Sequence, residues 1–134
     1  MKDRTAHNTL MIVDDDHIDR MMAKRLSLRS GFVDAFVAVP SAEEALGFLE
    51  SAENDLDLTL LLDQNMPGMS GLDFLAAIPD ELRNRLEGLR VIMMSTLLRP
   101  AEREAAGRSP LVSGFIEKPL TQEKVDKLFC QQAA

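Results

Sequence analysis

The chain has 134 residues, one domain's worth of protein, and 46% of them are apolar, enough for an ordinary core without disulfides or a structural metal. Acidic residues outnumber basic ones 22 to 15, for a formal net charge of −7, which argues against a surface that tracks nucleic-acid phosphates. No purely apolar run is longer than Ala35–Val39, far below the roughly 20 residues that span a bilayer, so no membrane insertion is expected.

Met1–Thr9 carries charges and His7 but lacks the apolar core and cleavage site of a signal peptide, which points to a cytoplasmic protein. The lone Cys130 cannot form an internal disulfide; it fits a reducing compartment and reads as a spectator near the C-terminus. His7 and His17 read as solvated bystanders. With no internal repeat or linker, residues 1–134 read as a single domain with a core over about 9–130.

Short apolar runs alternate with stretches of helical period, the signature of a parallel sheet covered by helices. A first strand, Thr9–Val13, leads to three carboxylates and a helix whose apolar stripe is Ile18, Met21, Met22 and Leu26, stopped at Gly31. A second strand, Val33–Val39, precedes a helix through Ala45, Leu46 and Leu49, opened by a capping box of Ser41 and Glu44. The third strand, Leu58–Leu62, is apolar apart from Thr59, as expected of a strand buried on both faces, and ends at Asp63. A turn with Pro67 and Gly68 leads to a helix from about Ser70 that buries Leu72, Leu75 and Ile78 until Pro79 interrupts it; a second helical piece reaches Glu87. The fourth strand is Arg90–Met94, followed by Ser95 and Thr96. Pro100, Gly107 and Pro110 leave room for only a short helix before the fifth strand, Gly114–Glu117. Lys118 and Pro119 follow, and Thr121 caps a last helix through Val125, Leu128 and Phe129.

The polar residues fall in one pattern. Asp14–Asp16, Asp63, Ser95 and Lys118 each stand directly after an apolar strand, and in an open parallel sheet that carboxyl edge is the ligand crevice. One acid at a strand end would read as a helix cap; four strand ends together point to a site. Crowded carboxylates repel unless a cation sits among them, and hard oxygen donors without cysteine select Mg²⁺ or Mn²⁺ over zinc. Lys118 offers a compact positive charge to a phosphoryl oxygen and Ser95 a hydroxyl donor. Asp63, alone at the end of the most buried strand, is the best nucleophile, and the chemistry would be an aspartyl phosphate.

These residues resemble a known family. Met11-Ile-Val-Asp-Asp-Asp16, Asp63-Gln-Asn-Met-Pro-Gly-Met-Ser-Gly71, Val91-Ile-Met-Met-Ser95 and Phe115-Ile-Glu-Lys-Pro119 together resemble the response-regulator receiver domain of two-component signalling, over residues 9 to about 130. The resemblance implies an α/β, flavodoxin-like fold, a doubly wound five-stranded parallel sheet of order 2-1-3-4-5 with helices on both faces. It implies that Asp63 accepts a phosphoryl group, that Asp14 and Asp15 hold Mg²⁺, and that Asn65 lends its backbone carbonyl. Ser95 would be the hydroxyl that swings to the phosphoryl group, Lys118 the active-site lysine and Phe115 the aromatic switch, with a cis Lys118–Pro119 bond. Such a protein is a switch rather than an enzyme on other substrates, catalysing only its own phosphorylation and dephosphorylation. Its donor would be a histidine kinase or histidine phosphotransfer protein, and its output a downstream protein target or a phosphorylation-dependent dimer. With no DNA-binding or enzymatic segment after the last helix, the chain reads as a stand-alone receiver.

Several departures from the family pattern stand out. Asp16 is a third acid, expected to cap the first helix. Thr96 follows Ser95 where small residues are common, so it should narrow access to the phosphoryl group and slow dephosphorylation; it is also the alternative to Ser95 as hydroxyl donor. The Ser95-to-Lys118 interval is about one residue long, and Leu111-Val112 replaces the usual Gly-Ala. Two other readings are a degenerate receiver that only docks partners and an aspartate-nucleophile phosphohydrolase using Asp14 as nucleophile and Asp16 as acid/base.

Overall fold

The computed structural model describes residues 8–52, 57–97 and 99–133. His7 and the side chain of Cys130 lie outside the described residues. Among the described residues there are five strands and six helices: β1 (Asn8–Val13), α1 (His17–Ser30), β2 (Ala35–Val39), α2 (Ala42–Ser51), β3 (Asp57–Asp63), α3 (Gly71–Ala77), α4 (Asp80–Arg85), β4 (Arg90–Ser95), α5 (Pro100–Gly107), β5 (Val112–Glu117) and α6 (Gln122–Ala133). All strands pair in parallel in the order β2-β1-β3-β4-β5, the doubly wound arrangement the motifs imply.

Side chains alternate across the sheet, and the buried residues divide accordingly into two layers. Met11, Val13, Leu58, Leu60, Leu62, Val91 and Met93 face α2 to α5, meeting Leu49, Phe74, Leu75, Ile78 and Leu82. Leu10, Ile12, Leu61, Ile92, Met94 and Ile116 face α1 and α6, meeting Ala23, Leu26, Val125 and Phe129. At about 25 cal/mol per Å² of apolar surface removed from water, each such side chain contributes roughly 1.5–3 kcal/mol to holding its layer shut. Phe74, which the spacing of Leu72, Leu75 and Ile78 overlooks, is a fully buried anchor of α3, while Leu72 is only half-buried.

Of the expected stripe of α1 only Leu26 faces the core. Ile18, Met21 and Met22 are 61%, 48% and 38% exposed, and the buried residues are Ala23, Leu26 and Ser27. The inner face combines Leu26 with the small Ala23 and Ser27, which let the helix lie close to the sheet and α6, while Ile18, Met21 and Met22 turn outward. Gly31, with φ of 80°, ends the helix in the left-handed conformation that favours glycine.

Several boundaries also differ from expectation. Val33 is buried but precedes β2, which begins at Ala35, and β1 and β3 begin one residue earlier than the apolar runs do. At α2 the Ser41 hydroxyl accepts from the Glu44 amide; the reciprocal box of both halves forms instead at α3, between Ser70 and Asp73. Between β4 and β5 the register runs Val91 to Val112, then Ile92 to Gly114, so Ser113 is bulged out of the ladder. Beyond the bulge Ser95 pairs with Glu117 and the Lys118 amide donates to the Ser95 carbonyl at 2.9 Å. The long interval before Lys118 is thus absorbed at the start of β5, and Lys118 arrives beside Ser95.

Candidate functional site

The carboxyl ends of β1, β3, β4 and β5 bring Asp14, Asp63, Ser95 and Lys118 together. Asp14 is fully buried just past β1, fixed by its own amide on the Val39 carbonyl at 3.2 Å and by the Arg20 guanidinium on its carbonyl at 2.9 Å. Its Oδ1 accepts from the Asp16 amide at 2.9 Å. Asp16 in turn is the N-cap of α1, its carboxylate accepting from the amides of Ile18 and Asp19. Its Oδ1 therefore takes the capping role expected of it.

Asp63 ends β3 with 3% exposure. Its Oδ1 accepts from the Asn65 amide at 3.1 Å, and its Oδ2 faces Lys118 Nζ at 3.4 Å. Lys118 Nζ also lies 2.8 Å from Asp14 Oδ2 and 2.8 Å from Asp19 Oδ2. The contact with Asp14 is ionic, without hydrogen-bond geometry, which leaves Asp14 Oδ2 buried with unsatisfied acceptor capacity.

These placements set the proton affinities. Burial, with the nearby charge of Asp14, outweighs the Asn65 amide and the Lys118 ammonium and raises Asp63 to about 6. For Lys118 burial acts the other way, but contacts with Asp14, Asp19 and Asp63 overcome it and hold the ammonium above its ordinary range. At neutral pH the site therefore pairs a charged lysine with a largely ionised Asp63.

One carboxylate oxygen from each of Asp14, Asp15 and Asp63 falls within 4.8 Å of the others, with Asp15 on the exposed side. Three hard oxygen donors, with a buried Asp14 carboxylate whose Oδ2 accepts no hydrogen bond, fit a hard divalent cation that retains several waters. Asn65 is exposed beside them, with its side-chain amide donating to Ser95 Oγ at 3.3 Å. Ser95, 1% exposed, also donates to the Leu97 carbonyl at 3.0 Å and accepts from its amide at 3.2 Å. The Thr96 side chain is exposed, and of the two hydroxyl residues it is Ser95 that touches the Asp63 loop. Phe115 is half-buried on β5 under the Arg103 guanidinium, whose carbon lies 5.0 Å from the ring centre. The Lys118–Pro119 bond is cis.

Two residues escape the sequence reading. Asp19 sits four residues before Ala23, on the inner stripe of α1, a position visible only once that stripe is known. Gln64, 5% exposed, accepts from the Leu72 amide at 3.1 Å and donates to Glu102 at 2.9 Å. Its only sequence signal is adjacency to Asp63.

Comparison with known proteins places the chain in a family. The model of the response regulator receiver domain matches residues 10–129. A chemotaxis protein CheY of Pseudomonas aeruginosa is 33% identical over 124 residues, covering 90% of this chain and 94% of that protein. The two-component response regulator ORR1 of Oryza sativa is 33% identical over 125 residues, covering 89% of this chain but 52% of its own length. The crystal structure of a response regulator receiver protein from Dyadobacter fermentans is 27% identical, with a TM-score of 0.75 over 92% of this chain and 96% of that one. No helix among the described residues is long and apolar enough to cross a membrane. The chain belongs to the response regulator receiver domain family.

Proposed function

We propose that the protein is a phosphorylation switch in which Asp63 takes a phosphoryl group from a phosphohistidine, supplied by a histidine kinase or a histidine phosphotransfer protein. The observation that carries this reading is the state of the Asp63 carboxylate. One oxygen is pinned by the Asn65 amide, and the other faces the Lys118 ammonium at 3.4 Å, a carboxylate oriented as a nucleophile beside a fixed positive charge. Asp63 Oδ2 attacks phosphorus as the P–N bond breaks, and that electron pair returns to the imidazole nitrogen, which takes a proton. Lys118 neutralises charge on a phosphoryl oxygen, and Ser95, released from Leu97, donates to another. Asp14, Asp15, Asp63 and the Asn65 carbonyl would hold Mg²⁺ or Mn²⁺, which supplies charge neutralisation for the transferring phosphoryl group.

Phosphorylation adds about −1.5 to −2 charges at Asp63, and differential contact with Ser95 and Lys118 shifts the population of the β4–α5 and β5–α6 loops. Phe115 is the switch side chain, and its neighbours Arg103, Lys124 and Leu128 line an open groove of about 380 Å³. This groove, between α5, β5 and α6, is where a downstream protein or a second phosphorylated copy would read the switch. The chain would work as a single domain in the cytoplasm, and its net charge of −7 speaks against nucleic acid as a direct partner.

The test is incubation with Mg²⁺ and acetyl phosphate, read by intact mass. One added phosphoryl group in the wild type, absent in Asp63→Asn, is the expected result. No adduct in folded wild type overturns the reading in favour of a phosphorylation-independent docking module.

A further inference from the structure

Lys118 meets one more carboxylate than the phosphoryl chemistry uses. Asp19 is outside the group of Asp14, Asp15 and Asp63 that could hold a metal, and it reaches Lys118 from the first turn of α1. Of the ammonium's three carboxylate neighbours, Asp14 and Asp19 are each at 2.8 Å, and Asp63, the proposed acceptor, is the distant one at 3.4 Å. The bond to Asp19 has hydrogen-bond geometry, so Asp19 holds the ammonium as directly as Asp14 does.

We infer that Asp19 is a positioning residue that parks the Lys118 ammonium against α1 until a phosphoryl group on Asp63 draws it across the site. This rests on the proposed role of Asp63. A lysine ammonium is a point charge on a flexible stem with rotatable donors, so it exchanges acceptors by torsion alone. Exposure decides which acceptor it leaves. The Asp14 side chain is 0% exposed, and its release would strand a buried charge; the Asp19 side chain is 35% exposed and passes to water at small cost. A phosphoryl group moves the strongest acceptor from α1 to the end of β3. The handover from Asp19 to the phosphoryl oxygen then breaks one contact between α1 and the β5–α6 turn, beside Met22 and Pro119, which line the same small cleft.

The experiment compares wild type, Asp19→Asn, Asp19→Glu and Asp16→Asn for the rate of phosphorylation by acetyl phosphate, by intact mass, at low and high ionic strength. Asparagine keeps the shape and loses the charge that holds Lys118, so Asp19→Asn is expected to react at least about threefold faster at both ionic strengths. Asp19→Glu should keep the wild-type rate. Asp16→Asn removes the same charge without touching Lys118, and asparagine caps a helix equally well. A gain due only to weaker repulsion of the anionic donor would appear there too and fade with salt. Equal rates for Asp19→Asn and Asp16→Asn, or a slower Asp19→Asn, overturn the parking role. A second readout needs no phosphodonor: a double-mutant cycle of Asp19→Asn with Lys118→Met in urea, without divalent metal, should be non-additive, and additivity also overturns the inference. Wild type that takes up no phosphoryl group overturns the Asp63 reading and the handover with it. That result is distinct from a labelled wild type in which Asp19→Asn brings no gain.

Discussion

Gln64 donates to Glu102 at 2.9 Å across 38 residues of sequence, tying the residue next to Asp63 to the first turn of α5. The same amide group accepts from the Leu72 amide, so Gln64 joins the loop after β3, the start of α3 and the start of α5 at one buried point. Arg103, the next residue on α5, lies over Phe115, which puts the aromatic ring one helical residue away from the link. Glu102→Ala leaves the Gln64 Nε2 buried without its partner and is expected to cost about 1–2 kcal/mol. Gln64→Ala strips the Leu72 amide as well and should cost more. Urea midpoints of both variants check the ranking; equal and negligible losses would mean water replaces the link.

Gly71 opens α3 where a side chain has no room. A Cβ there would come within 2.9 Å of Gln64 Oε1 and of Met93 Cε, and 3.0 Å of the Asp63 carbonyl oxygen. Two of these can give, but the third is backbone of Asp63 itself, so Gly71→Ala displaces the residue at the centre of the site. A loss of about 1–3 kcal/mol is expected, in the range of overpacked cores, together with a fall in the rate of labelling by acetyl phosphate. Gly47, which has open space around it, serves as the control for helix propensity.

The sequence exposes the sheet because a central parallel strand has to be apolar on both faces, and Leu60–Leu62 and Val91–Met94 show this directly. The convergence of Asp14, Asp63, Ser95 and Lys118 follows, since topology alone brings those strand ends to one edge. What is hidden depends on tertiary distance. The inner face of α1 is set by how close the helix lies to the sheet, which favours Ala23 and Ser27 over Ile18 and Met21, and with that face goes Asp19. Gln64 is hidden because a neutral amide carries no chemical signature until its partners on α3 and α5 are known.

The bulge at Ser113 is a second place where spacing alone is ambiguous, and it makes a prediction. Deleting Ser113 removes the residue that β5 passes over, so Gly114–Glu117 and Lys118 keep their pairing with Ile92–Ser95. The deletion is expected to fold and to be labelled by acetyl phosphate. Inserting a residue between Phe115 and Ile116 has no such outlet; it shifts Lys118 away from Ser95 and reverses which face Ile116 presents. That variant should lose both stability and labelling, as measured by urea denaturation and intact mass.

Thr96 stands exposed immediately after Ser95. If its branched side chain shields the Asp63 phosphoryl group from water, Thr96→Ala should shorten the phosphorylated lifetime, followed as loss of the added mass after the donor is removed. An unchanged lifetime would assign the shielding elsewhere.

The pH dependence of stability isolates Asp63. Burial first, then repulsion by Asp14, raise its pKa from 3.8 to about 6 against the pull of the Asn65 amide and Lys118. The folded protein therefore binds this proton more tightly than the unfolded chain does. The sign follows: ionised Asp63 opposes folding, so its contribution lowers stability as pH rises between about 4 and 6, and the deficit persists above that window. The amide side chain introduced by Asp63→Asn has no proton to lose. Without divalent metal, Asp63→Asn should be more stable than wild type at pH 7.5 by about 1–3 kcal/mol, with the gap closing near pH 4. Added Mg²⁺ should stabilise wild type more than the variant, because binding to the folded state alone adds RT ln(1 + [Mg²⁺]/Kd) and the variant lacks one carboxylate. Urea midpoints of both proteins at pH 4.5 and 7.5, with EDTA and with Mg²⁺, decide the matter. A gap of the same size at both pH values would show that Asp63 is not the group whose ionisation opposes the fold.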